Sequence, residues 1–117
     1  MNLDDAVKAH VAWKIKFRSA IVARTAIDVA TISRDDCCEL GQWLKGEARV
    51  RYGQLPAYAQ CANAHSVFHR EAGRVAALNN KSDLAGAEAA IGSSTPFSNA
   101  STNAVSAITR LKHAVAA

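Results

Sequence analysis

The sequence predicts an all-α protein, an antiparallel four-helix bundle with an additional short helix. Apolar residues recur at spacings of three and four over long segments, which is the period of an amphipathic helix. Half of the 117 residues are apolar but only 6% are aromatic, so the core must consist of small side chains in closely packed helices. Short connections rich in Gly, Pro, Asn and Ser separate the segments, as in a helical bundle. The length fits one compact domain, which we place over residues 1–117.

The first helix is predicted from about Leu3 to Arg24. Residues 25–34 include several β-branched side chains, but a lone strand has no partner, so we expect a connection that can include a helical turn. Asp35 or Asp36 is the expected N-cap of a second helix that ends near Gly46. The apolar stripe of the first helix consists of Val7, His10, Trp13, Phe17 and Ile21.

A long third helix is predicted from about Pro56 to Leu78, because proline is tolerated at the first helical position. Residues 79–82 should end it, and Ser82 is the expected cap of a short helix that ends near Gly92. The last helix should span about 96–116. The expected buried face of the third helix is Tyr58, Cys61, Ala62, His65, His69, Ala72 and Val75 or Ala76. That of the last is Phe97, Ala100, Ala104, Ile108, Leu111 and Val115.

Composition narrows the classes of partner. The net charge is +4, the basic residues are scattered, and aromatic residues do not alternate with them, so we expect a solvated basic face and no nucleic acid. No apolar run approaches the ~20 residues of a membrane span, and the acidic N-terminus lacks the apolar region of a signal peptide. Three cysteines, an odd number, argue against a disulfide framework. We therefore expect a cytoplasmic chain with reduced thiols and no direct membrane contact.

Histidine spacing indicates a metal site. His65 and His69 are four residues apart on a predicted helix, so their Cβ atoms lie on one face about 5–6 Å apart. His10 lies on the buried stripe of another helix, and Cys38 lies near the start of a third. Three imidazole nitrogens and one thiolate form a tetrahedral donor set that suits zinc. The alternative is that each histidine is a core residue, but burying so many polar groups without partners would cost several kcal/mol.

The choice of cysteine is less direct. We favour Cys38, because a helix N-terminus stabilises a thiolate and Gly41 should let a neighbouring helix approach. Cys37 points about 100° away on a helix, which makes it a bystander. Cys61 lies one turn before His65 on the same face and remains the rival ligand. Trp13 and Trp43 are expected to fill the core and to wall the site from water.

Catalytic patterns are missing from the sequence. His65 is not followed by the Glu that a zincin protease uses as general base. Paired Glu-x-x-His elements, a haem attachment motif, a Ser-His-Asp set and a Gly-rich phosphate loop are also missing. The sequence therefore predicts no enzyme, and a small zinc hydrolase is the weakest alternative.

Taken together, the motifs resemble the chemoreceptor zinc-binding (CZB) domain family. His10 with Trp13, the box from Cys38 to Trp43, and the His65–His69 pair follow that family's order, and the resemblance covers nearly the whole chain. The resemblance implies zinc ligation by His10, Cys38, His65 and His69 within a bundle of four long helices and a short one.

The same resemblance implies a regulatory role in bacterial signalling. Such domains occur on chemoreceptors, on diguanylate cyclases and as stand-alone proteins, and they sense zinc or oxidants such as hypochlorite through the zinc-bound cysteine. Because no receptor coiled coil or cyclase module is visible, we expect an excised domain or a stand-alone member. The expected partner is a signalling module of a chemoreceptor or cyclase, in cis or in trans, and a homodimer is compatible with the family. The alternative function is a structural, zinc-stabilised oligomerisation module.

Overall fold

The computed structural model describes residues 1–116, and within that range regular structure is entirely helical, which confirms the all-α bundle. The longest helix, α6, packs most extensively against α8, and α8 in turn packs against α1. None of the helices described over this range is long and apolar enough to cross a bilayer. In chain order the helices are α1 (Leu3–Val11), α2 (Trp13–Ala23), α3 (Val29–Ile32), α4 (Glu39–Lys45), α5 (Glu47–Tyr52), α6 (Pro56–Asn80), α7 (Leu84–Ala90) and α8 (Pro96–Ala116).

The predicted first helix is present as two consecutive segments that meet at Ala12. This residue keeps right-handed helical angles (φ −63°, ψ −19°). Its N–H donates to the carbonyl of Lys8 at 3.0 Å, and its carbonyl accepts from the N–H of Lys16 at 3.1 Å. The helical path therefore continues from α1 into α2, and it ends at Arg24, which adopts the left-handed conformation (φ 56°).

The start of α4 differs from the prediction. Asp35 and Asp36 do not cap this helix, because Asp36 accepts two hydrogen bonds from Arg34 and Asp35 pairs with Lys45. Cys38 is itself the N-cap, with extended angles (φ −84°, ψ 162°), and its sulfur accepts from the N–H of the third helical residue. The C-terminal end at Gly46 and the single helical turn between residues 25 and 34 are as expected.

The second half of the chain follows the prediction more closely. α6 begins at Pro56 as expected and ends two residues later than predicted, and α8 spans the predicted range. Ser82 does not cap α7, because it adopts the left-handed conformation (φ 62°) that redirects the chain after α6. The cap is Asp83, whose carboxylate accepts from the N–H of Gly86 at 2.9 Å.

Two apolar clusters fill the bundle, and the histidines lie at their boundary. Along α1 and α2, Leu3 belongs to one cluster and Phe17 to the other, with His10 between them. Along α6, Cys61 belongs to the first cluster and Phe68 to the second, with His65 between them. Polar side chains therefore interrupt the core at one level of the bundle. At the predicted stripe positions, Val7, Trp13, Tyr58, Ala62 and Val115 are half-buried and the other residues are buried.

Candidate metal centre

Four side chains from three helical elements converge in the middle of the bundle. They are His10 from α1, Cys38 at the N-cap of α4, and His65 and His69 from α6, and one ligand atom of each lies within 4.8 Å of the others. The Cys38 sulfur lies 3.9 Å from Nε2 of His10, 3.2 Å from Nε2 of His65 and 3.6 Å from Nε2 of His69. The two α6 imidazoles face each other with 3.0 Å between their Nε2 atoms. The structure thus brings together all four residues singled out in the sequence.

Backbone carbonyls orient two of the three imidazoles. Nδ1 of His10 lies 2.7 Å from the carbonyl oxygen of Ala6, and Nδ1 of His69 lies 2.8 Å from that of Ile32. A carbonyl oxygen can only accept, so each Nδ1 carries the proton and each Nε2 presents a lone pair to the cluster. This is the tautomer that a metal needs, and the carbonyls are the outer-shell partners that fix it.

Burial keeps the imidazoles neutral. It lowers the pKa of His65 to about 3, and the neighbouring His69 and His10 add to the effect. Burial also lowers the pKa of His10 and of His69, although the hydrogen bonds to Ala6 and Ile32 act in the opposite direction. Neutral imidazoles are metal ligands without any prior loss of a proton.

The thiol of Cys38 behaves differently from the sequence expectation. Burial raises its pKa, and the backbone N–H groups of Gly41 and Leu40 only partly offset that effect. The position at a helix start therefore does not by itself create a thiolate. In the metal-free protein Cys38 holds its proton at neutral pH, and a bound metal would displace it.

Two glycines permit the close backbone approaches that shape the site. The sequence predicted that Gly41 lets a neighbouring helix approach. In the structure, a Cβ atom on Gly41 would overlap the carbonyl oxygen of Asp35, so this glycine accommodates the segment before Cys38 instead. A Cβ atom on Gly73 of α6 would overlap the side chain of Ser33. Ser33 directly follows Ile32, whose carbonyl oxygen contacts Nδ1 of His69, so the missing side chain at Gly73 lets this segment lie close to α6. Sequence reasoning did not identify Gly73 or Ile32, because neither carries metal-binding chemistry.

The donor set fits zinc. Zinc bonds of about 2.3 Å to sulfur and about 2.0–2.1 Å to nitrogen place tetrahedral ligands ~3.6 Å (S to N) and ~3.4 Å (N to N) apart. The observed sulfur–nitrogen distances of 3.2, 3.6 and 3.9 Å and the nitrogen–nitrogen distance of 3.0 Å lie close to these values. Four neutral or thiolate donors would close a tetrahedron without a position for water.

The remaining cysteines and the fourth histidine lie outside this group. Cys61 is fully buried in the apolar cluster with Leu40 and Leu44, and burial raises its pKa to about 11. Cys37 is exposed, with its sulfur 3.7 Å from a carboxylate oxygen of Asp36. His113 is exposed on α8. The structure therefore gives no support to Cys61 as a ligand.

A cavity of about 280 Å³ adjoins the site on one side. Its lining is mostly apolar, and Trp13 forms part of the wall as expected, whereas Trp43 packs near Tyr52 with 6.2 Å between ring centres. Cys38 and His69 belong to the lining, and Cys38 is more exposed than the three histidines. The residues that line the cavity are Trp13, Ile27, Asp28, Thr31, Ile32, Cys37, Cys38 and His69.

Comparison with known proteins identifies the family. A family model for the chemoreceptor zinc-binding domain matches residues 10–76, which is more than half of the chain. The matched range begins at His10 and includes Cys38, His65 and His69. No curated protein and no solved structure gives a significant match. The chain therefore belongs to the chemoreceptor zinc-binding domain family, and its metal is zinc.

Proposed function

We propose that this chain is a regulatory domain of bacterial signalling in which His10, Cys38, His65 and His69 bind one zinc ion. Through Cys38 it reports either zinc supply or oxidants such as hypochlorite. The observation that carries the proposal is the convergence of three buried imidazoles and one less buried thiol at the junction of α1, α4 and α6. The partner is a signalling module of a chemoreceptor or cyclase, and the domain acts in the cytoplasm.

Zinc occupancy is coupled to helix packing by the position of its ligands. The Nε2 atoms of His65 and His69 lie 3.0 Å apart, and burial disfavours the charged forms of the imidazoles and of the Cys38 thiol. A zinc ion held by His10, Cys38, His65 and His69 would supply a positive charge that all four donors share. Because the donors belong to three separate helical elements, the free energy of metal binding also stabilises the packing of these elements against one another. The segment around Cys38 depends most on the metal, since α4 is only seven residues long.

Oxidation would act on α4 directly. Hypochlorous acid transfers its oxygen to the Cys38 sulfur, which loses two electrons and becomes sulfenic acid while chloride leaves. The same sulfur is the N-cap acceptor for the N–H of Gly41 at 3.4 Å. One chemical event thus removes a metal ligand and weakens the start of a helix. The cavity beside Trp13 supports this reading, since Cys38 lies in its lining.

The second candidate is a structural module in which zinc only holds the bundle together for oligomerisation. The deep burial of the three histidines favours this reading over exchange. A structural site should retain zinc during oxidation and against competing chelators, whereas a sensory site should release it. We propose no catalytic activity, because four protein donors leave no coordination position for a substrate or water.

The first experiment is elemental analysis of purified variants. We expect one zinc per chain in the wild type, and Cys38→Ala and His69→Ala should each lose most of it. The matched controls Cys37→Ser and His113→Ala remove an exposed thiol and an exposed imidazole and should keep wild-type zinc. Metal-free wild type, prepared without chelators, would contradict the site.

Oxidation then separates sensor from structural module. In a Cys37→Ser background, stoichiometric hypochlorite should modify Cys38, release zinc to a chromophoric chelator and change helix packing by near-ultraviolet circular dichroism. Mass spectrometry of the Cys38 peptide confirms where the oxygen was added. If Cys38 is oxidised and both zinc and packing are unchanged, the sensory proposal fails and the structural module stands.

A further inference from the structure

The first helical pair presents a second, solvent-facing stripe opposite to its core face. Its positions repeat at spacings of three and four residues, which is the seam of a heptad pattern. Val11, Ile15 and Val22 on this stripe are 50%, 67% and 79% exposed. Ala12 keeps the helical angles, so the stripe continues from α1 into α2. We name it the α1–α2 ridge, and it consists of Lys8, Val11, Ile15, Arg18 and Val22.

The ridge lies on a segment with charge of one sign. Residues 7–27 contain five Lys or Arg side chains and no acidic one. Within residues 1–116, none of the five forms an ion pair with a carboxylate. Lys16 instead lies over the ring of Trp13, 4.6 Å from its centre. The ridge therefore combines exposed apolar seam positions with basic side chains that form no ion pair within the described part of the chain.

From this juxtaposition we propose that the α1–α2 ridge is the docking seam for an acidic amphipathic helix of a partner protein. Heptad spacing matches knobs-into-holes packing against one helix, and Glu or Asp beside the partner's apolar positions would pair with Lys8 and Arg18. Helices packed in this way bury the apolar residues that the isolated domain leaves in water. The identity of that helix as part of a signalling module rests on the proposed function, but the binding itself does not.

Two other occupants fit less well. A membrane surface binds a broad face of bulky apolar residues, whereas this stripe is narrow and two of its five positions are cations. A second copy of the chain would bring the basic segments 7–27 of both copies together without acidic residues between them. Charge complementarity therefore favours an acidic helix.

The ridge shares its helix with the metal centre. His10 directly precedes Val11, about 100° around the helix, and its imidazole belongs to the metal cluster. A change at the metal centre that shifts α1 would shift the ridge as well. Zinc-loaded and zinc-free protein should therefore differ in affinity for the partner helix.

The test is binding of a synthetic acidic heptad peptide, with Ile and Leu at the seam and Glu at the flanking positions, to the zinc-loaded full chain. Fluorescence anisotropy gives the affinity. The variant Ile15→Glu/Val22→Glu should bind at least about tenfold more weakly, and added salt should weaken wild-type binding. The matched control is Val50→Glu, because Val50 is 87% exposed and lies on α5, away from the ridge. Zinc content of each variant shows that the metal centre remains intact.

Several results would overturn the inference. Equal binding of a Lys-substituted heptad peptide would remove the charge argument, and equal loss in Val50→Glu would remove the location. Absence of peptide binding together with partition onto phosphatidylglycerol vesicles would assign the ridge to membranes. A dimer by light scattering that Ile15→Glu/Val22→Glu dissociates would assign it to a second copy. In each of these cases, normal zinc binding by the wild-type protein would leave the proposed metal function standing. The zinc content of Cys38→Ala tests that function separately, and none of these outcomes bears on it.

Discussion

Zinc binding to the metal-free protein should release close to one proton, and the pH dependence of that number tests the burial of the site. The pKa of Cys38 is raised above 9.0, so its thiol is almost fully protonated at pH 7.4 and at pH 6.0. The three imidazoles have pKa values below 6.5 and add almost nothing at pH 7.4. Three ordinary histidines would instead add about 2.3 protons at pH 6.0. His65, with a pKa of about 3, adds none at either pH.

Calorimetric titration with zinc in buffers of different ionisation enthalpy measures the proton count. We expect about one proton at pH 7.4 and well under three at pH 6.0, where circular dichroism must show that the metal-free protein remains folded. Cys38→Ala should lose the proton released at pH 7.4. A count above three at pH 6.0 would show that the imidazoles are solvated and would refute the geometry described above. Zero protons from the wild type at pH 7.4 would refute Cys38 as the thiol ligand.

Three further predictions concern stability and the shape of the site. Gly41→Ala should lower zinc affinity by at least about tenfold and the free energy of unfolding by about 1–3 kcal/mol, because its Cβ would displace the backbone of Asp35; Gly92→Ala, remote from the site, is the control for denaturant titration. Cys61→Ser should keep one zinc per chain and lose about 1–3 kcal/mol, because it buries a hydroxyl among apolar side chains; zinc loss measured by elemental analysis would instead restore Cys61 as a ligand. The metal-free protein should become less stable as the pH falls below about 6.5, because the histidines of the unfolded chain bind protons that the buried histidines exclude. In denaturant titrations, His65 should lower the free energy of unfolding by up to about 1.4 kcal/mol per pH unit, and His65→Ala should remove this contribution. A free energy of unfolding that does not change with pH would contradict the lowered pKa.

Local pattern was enough to predict most of the elements and the candidate donor residues, although α5 (Glu47–Tyr52) was not predicted. The i,i+4 spacing of His65 and His69 and the apolar stripe around His10 depend only on helical period, so they could be read without coordinates. The helix caps were harder, because several residues compete for each one. Asp36 is a better capping residue than Cys38 by type, but Arg34 engages its carboxylate and leaves Cys38 at the cap.

The sequence by itself determined that the chain is an all-α bundle of small side chains, and it identified three histidines and one thiol able to bind zinc. These properties follow from period and residue type, which act locally. The tertiary structure alone decided that Cys61 is a core residue and that burial raises the pKa of Cys38. It also decided that the carbonyl of Ile32 contacts His69 and that Gly73 leaves room for the neighbouring Ser33. These properties depend on which segments, distant in sequence, pack against one another, and the helical period carries no information about tertiary contacts.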